Sequence, residues 1–199
     1  LVVGLIFLGV ATPSEAAATG AIGTFILAAT YRRLNLEVVK KSVLGTVSVT
    51  AMIFIIMSAA KAFSQIMTFS GATRGLIGLA TGLSLAPIYI LISMQIVLLI
   101  MGCFMDAFSI MMVTLPLFMP VVHALGFNPV WFAVIFMLNM EMGGITPPFG
   151  VGLFVMKGVA PPDTTMEHIY KAALPFLGLA LIAMILIIAF PAVALWLPG

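Results

Sequence analysis

Apolar residues in this chain form long unbroken stretches, and polar residues gather in short islands between them. A continuous apolar run of about 20 residues in a helix matches the thickness of bilayer hydrocarbon, whereas barrel strands would alternate at period two. The pattern predicts membrane helices. Residues 1–10 read as the tail of an apolar segment of a longer protein. No charged stretch precedes them, so they do not read as a signal peptide. Thr12, Pro13 and Glu15 then form a helix start, with Thr12 as N-cap, Pro13 at the first helical position and Glu15 closing a capping box. The helix predicted over 14–31 is just long enough to span, and its alanines and glycines suit close packing.

Arg32, Arg33, Lys40 and Lys41 crowd one short predicted loop, the strongest positive cluster in the chain, which places it in the cytoplasm. A long apolar helix is predicted over 43–67, with Lys61 able to snorkel near its far end. Residues 68–85 carry four glycines, Arg74 and five hydroxyl side chains, too polar for a lipid-facing span. They read as an amphipathic arm at the outer interface. Their GxxxG spacings (71/75 and 78/82) leave a packed span as the alternative.

Residues 87–104 and 113–125 are apolar, with Asp106 the only charge between them and no hydrophilic loop. A re-entrant helical hairpin over 87–125 explains this, with its tip at 102–109. Non-helical backbone at membrane depth persists only where protein or water meets it, so the tip should line a site. Two true spans remain possible by length. After a turn at 123–129, an apolar run over 130–142 meets Gly143-Gly144-Ile145-Thr146-Pro147-Pro148-Phe149-Gly150. Two prolines lack N–H donors and three glycines loosen the backbone, so no continuous helix survives. Residues 130–157 therefore read as one broken span. A polar loop follows over 157–171, then a final span over 172–197. With the Arg/Lys cluster inside, this order returns Lys157 and Lys171 to the cytoplasm.

Composition narrows the class. Of 199 residues, 63% are hydrophobic and only 7% charged, against roughly 25% charged in a soluble domain. A net charge of +2 implies no nucleic-acid groove, and a single cysteine excludes a disulfide framework or Cys-rich metal site. The chain lacks HExxH, GxSxG and Walker A patterns, so it reads as a non-enzyme that is not itself ATP-driven. The fold class expected is an all-α, polytopic integral membrane protein with a re-entrant hairpin and a broken helix.

Hairpin tips and broken helices are the usual parts of a midplane site in a secondary transporter. Unwound carbonyls can coordinate a hard cation, and half-helix N-termini can face an anionic solute. Thr146, Ser109 and Thr114 offer hydroxyl oxygens and Asn139 an amide, neutral donors of the kind sodium needs. Asp106 reads first as the cap of the second hairpin arm, with direct ion or proton work as the alternative. Glu141 reads as stabilising a helix end or an interhelical contact, His123 and His168 as solvated, and Cys103 as a packing residue.

These motifs resemble a known family. Ala11-Thr12-Pro13-Ser14-Glu15-Ala16-Ala17, Gly102-Cys103-Phe104-Met105-Asp106, the Pro116/Pro120 run leading to Gly126-Phe127-Asn128-Pro129, and Gly143–Gly150 with Leu153-Phe154 are similar to stretches of the large membrane subunit of TRAP (tripartite ATP-independent periplasmic) transporters. Ser14 stands where that family usually has Thr. The resemblance implies sodium-coupled uptake of organic acids such as C4-dicarboxylates by an elevator motion. The partners it implies are a small TRAP membrane subunit, a periplasmic substrate-binding protein and lipid, in a bacterial or archaeal inner membrane. It also implies that 43–199 is the second of two inverted repeats, with 1–42 holding the end of the preceding segment, a connecting transmembrane helix and the basic loop. By residue, it places a sodium site, mainly of backbone oxygens, at Gly102, Asp106, Ser109, Gly143, Gly144, Thr146, Pro147 and Gly150, with Thr146, Pro148 and Asn139 toward the substrate. A carrier of the same superfamily working without a binding protein is the alternative.

Overall fold

The structure, a computed structural model, describes residues 2–82 and 84–196. All regular elements among them are helices: α1 (Val2–Phe7), α2 (Pro13–Thr30), α3 (Leu36–Phe69), α4 (Ala72–Gly82), α5 (Pro87–Gly102), α6 (Ala107–Ala124), α7 (Pro129–Gly144), α8 (Val151–Val159), α9 (Met166–Ala189) and α10 (Ala192–Leu195). The chain forms two compact units that divide after Phe54.

In the first unit, α1 packs on α2 at Gly20, where an added Cβ would lie 2.5 Å from Val2 Cγ2. Thr12 caps α2 as its sequence predicts. Its hydroxyl accepts from the Glu15 N–H, and Glu15 Oε2 accepts from the Thr12 N–H at 2.8 Å. α3 starts at Leu36 rather than at 43, because Asn35 Oδ1 accepts from the Val38 N–H at 2.8 Å. Lys40 and Lys41 therefore lie on the first turns of α3, not in the connecting loop.

Among the described residues, three helices are long and apolar enough to cross a membrane: α3, α6 and α9. α2 has 18 residues but falls outside this group, since Pro13, Ser14 and Glu15 dilute its apolar character. α3 buries no residue along its 34 residues, so its apolar surface is left for lipid or protein to cover. α4 is a separate helix of 11 residues, roughly 16 Å long and too short to span.

The core of the second unit is built around α7. Leu91 and Leu98 of α5, Ile110 and Val122 of α6, and Phe132 and Ile135 of α7 are fully buried there, with Met184 of α9 at its edge. The α5 contacts recur at 91, 94, 98 and 102, one face of a helix, while α7 is buried on most sides. Asn128 caps α7 through the Val130 and Trp131 N–H groups. Gly126 turns the chain from α6 into α7 at φ 74°, where a side chain would be strained.

Further boundaries differ from the sequence reading. α9 starts at Met166 rather than 172, because Thr165 caps it through the His168 N–H, and its helical run stops at Ala189 before Pro191. The predicted end of that span at Leu197 lies outside the described residues. At its C-terminus, Pro191 cannot donate to the Ile187 carbonyl, and the Trp131 indole N–H donates there instead at 2.8 Å. α7 keeps its helix through Gly144, two residues further than its apolar run suggested, and α8 extends past Lys157 to Val159.

Candidate functional site

The two irregular segments singled out in the sequence lie side by side. α5 and α7 come into backbone contact at their C-terminal ends. A Cβ added to Gly102 would stand 2.6 Å from Gly143 Cα, and one added to Gly143 would stand 2.7 Å from Gly102 Cα. Only glycine at both positions permits this backbone contact. It delivers the tip after α5 (103–106) against the turn after α7 (145–150). Cys103 Sγ reaches the Pro147 carbonyl at 3.8 Å, and the Phe104 and Phe149 rings pack with centroids 5.5 Å apart.

The break after α7 follows from the prolines. In a continuing helix the Gly143 and Gly144 carbonyls would accept from residues 147 and 148, both prolines without N–H. The Gly143 carbonyl instead accepts from the Thr146 N–H at 3.2 Å, in a tighter turn. The Thr146 hydroxyl donates to the Met142 carbonyl at 2.7 Å, and the Gly150 N–H donates back to the Thr146 carbonyl at 3.1 Å. This compact turn needs Gly150, where a Cβ would fall 2.6 Å from the Gly144 oxygen. The Pro147–Pro148 peptide is cis. From α9, the Tyr170 hydroxyl donates to the Pro148 carbonyl at 2.9 Å and ties the turn down.

What remains is a set of unspent oxygens. Among the described residues, the carbonyls of Gly102, Cys103, Phe104 and Met105 on one segment, and of Gly144, Ile145 and Phe149 on the other, accept no hydrogen bond. Helix C-termini and unwound turns leave such groups by construction. Chemically they are neutral, hard oxygen donors.

The sequence-predicted residues divide clearly. Gly102, Gly143, Gly144, Thr146, Pro147, Pro148 and Gly150 are brought together. Asp106 and Ser109 pair with each other: Asp106 is the exposed N-cap of α6, accepting from the Ser109 N–H at 3.0 Å and from its hydroxyl at 2.5 Å. No hydrogen bond joins either of them to 143–150 among the described residues. Asn139 lies one turn before Gly143, 1% exposed, with its amide turned to Gln95 of α5 rather than into the break. Thr114 is buried on α6, and its hydroxyl donates to the Ile110 carbonyl at 2.8 Å. The Glu141 side chain is exposed and forms no hydrogen bond or ion pair among the described residues, which corrects the reading of it as an interhelical contact. His123 and His168 are exposed. Sequence reasoning missed Tyr170 and Gln95. The signal for Gln95 was a lone amide inside the apolar run of α5; nothing in the sequence flags Tyr170.

The profile of the DctM component of tripartite ATP-independent periplasmic transporters matches residues 1–193. This chain belongs to that family. It is similar to the large permease protein DctM of a C4-dicarboxylate TRAP transporter from Pseudomonas aeruginosa, at 35% identity over all of this chain and 46% of that protein. An isethionate TRAP transporter permease, DctMQ, from Oleidesulfovibrio alaskensis is 34% identical over all of this chain and 31% of its own length. A sialic acid TRAP transporter large permease, SiaM, from Vibrio cholerae is 29% identical over all of this chain and 46% of its own length. The chain thus spans about half or less of the length of these curated relatives. They are transporter permeases and not enzymes, and with α3, α6 and α9 the family points to a multi-pass membrane protein.

Proposed function

We propose that this chain supplies one of two site-bearing halves of a sodium-coupled permease that takes up organic acids. The observation that supports it is the juxtaposition of two sets of unspent carbonyls, those of 102–105 and those of Gly144, Ile145 and Phe149, held together at Gly102 and Gly143. Neutral oxygens suit a monovalent hard cation, which replaces its hydration shell with them. The Thr146 hydroxyl oxygen keeps lone pairs while donating to Met142, so it joins this donor set. Asp106 acts here as the cap that holds the hairpin tip, not as a direct ligand. Substrate chemistry follows the names of the relatives, C4-dicarboxylate, isethionate and sialic acid, all organic anions.

In this reading α5 and α6 form a re-entrant hairpin and α7–α8 a broken span. The half moves as an elevator against a scaffold, in a bacterial or archaeal inner membrane. A small membrane subunit and a periplasmic substrate-binding protein complete the system. The test is sodium-dependent uptake by the full-length permease in vesicles, with its binding protein added. Thr146→Ala and Gly144→Leu should each raise the sodium concentration for half-maximal uptake. A Cβ at Gly144 meets nothing within 4 Å, so there is open space for the first atom of the added side chain. Unchanged sodium dependence in both variants would falsify the site.

A further inference from the structure

The α5–α7 interface holds a polar element that the carbonyl site does not use. Gln95 and Asn139 are 4% and 1% exposed, within a core otherwise made of side chains such as Leu91, Leu98, Ile135 and Phe136. Asn139 Nδ2 donates to the Gln95 main-chain carbonyl at 2.8 Å and to Gln95 Oε1 at 2.9 Å. These bonds determine both amide orientations. A main-chain carbonyl only accepts, so Asn139 must present its nitrogen, and Gln95 must answer with its oxygen. Gln95 Nε2 and Asn139 Oδ1 are then left buried without a partner.

Such a pair is a poor stabiliser. Two orphaned amide groups cost at least what two neutral hydrogen bonds return, and apolar side chains of similar volume would pack the interface as firmly. What the pair adds is direction. Apolar helix faces in hydrocarbon have no solvent-driven preference, and packing alone leaves sliding and rotation weakly determined. One buried polar contact removes that freedom, as a buried asparagine does in a coiled coil. Asn139 lies one turn before Gly143, and Gln95 two turns before Gly102, on the faces that meet.

We propose that Gln95 and Asn139 are a positioning pair that sets the register of α5 on α7, and with it the spacing of the two carbonyl runs. The register stands on the geometry alone; its effect on ion coupling rests on the sodium-site reading above. The test uses the full-length permease with Phe104→Cys and Phe149→Cys in a Cys103→Ala background. It measures the rate of cross-linking by a short bifunctional thiol reagent, sodium-dependent uptake and thermal midpoint. Asn139→Leu removes both bonds, whereas Gln95→Met keeps the bond to the main-chain carbonyl. Asn139→Leu should slow cross-linking and raise the half-saturating sodium concentration by about tenfold each, with Gln95→Met clearly milder. Asn139→Leu should also lower the thermal midpoint, because it strands the buried Gln95 amide. The double variant Gln95→Met/Asn139→Leu, which leaves no side-chain amide unpaired, should slow cross-linking with its midpoint kept. An unchanged cross-linking rate in Asn139→Leu overturns the proposal. So does a lowered midpoint in Gln95→Met/Asn139→Leu, which would mark a plain folding role. Slowed cross-linking with unshifted sodium dependence and an intact midpoint in that double variant upholds the register and overturns the sodium site instead.

Discussion

Gly143→Ala perturbs the site at its narrowest point. The added Cβ would sit 2.7 Å from Gly102 Cα, where carbon atoms normally rest about 3.5–4.0 Å apart. Both partners are backbone, so no rotamer change relieves the clash, and α5 and α7 must part by roughly 1 Å. Overpacking of this kind costs about 1–3 kcal/mol. If the helices part as rods, the Asn139 bonds to Gln95, at 2.8 and 2.9 Å, stretch past hydrogen-bonding range. Each lost bond adds about 0.5–1.5 kcal/mol, for a total of about 2–6 kcal/mol. The carbonyl runs separate by the same displacement. The assay is chemical or thermal unfolding of the purified full-length permease, with Gly178→Ala as control, since a Cβ there meets nothing within 4 Å. Gly143→Ala should lose stability by that amount and need more sodium for half-maximal uptake. The reasoning fails if the two alanine variants behave alike.

Other outcomes follow from single contacts. Tyr170→Phe removes the hydroxyl from the Pro148 carbonyl and should cost about 0.5–1.5 kcal/mol, read as faster hydrogen exchange in the 145–150 turn. Trp131→Phe strands the Ile187 carbonyl beside Pro191 and should cost about 1–3 kcal/mol for the orphaned group, seen as a lower unfolding midpoint with unaltered sodium dependence. Gly150→Ala meets the Gly144 oxygen at 2.6 Å and should abolish uptake while the protein still reaches the membrane; full uptake would contradict the compact turn.

Much of the architecture was legible because its signals are local. Thr12, Pro13 and Glu15 specify the start of α2 with three residues. Pro147 and Pro148 remove the donors that α7 would need to continue, so the break could be read directly, although the helix still runs through Gly144. Boundaries failed where a cap was weighed less than a charge: Asn35 starts α3 inside the presumed basic loop, and Thr165 starts α9 before Lys171. The site was half legible. Freed carbonyls follow from sequence, but which of them meet does not. Gly102 and Gly143 are 41 positions apart, and their contact depends on the packing of two apolar helices whose surfaces look alike in sequence. Asn139 shows the same limit, since its amide type suggested a ligand while its helix face turned it to Gln95.

The most direct measurement is equilibrium binding of radiolabelled sodium to the purified full-length permease without substrate. Wild-type protein should bind saturably, with displacement by unlabelled sodium but not by potassium, and Gly143→Ala should bind markedly more weakly. Wild-type binding that never saturates, or that Gly143→Ala matches, would contradict the view that these paired carbonyl runs hold the coupling ion.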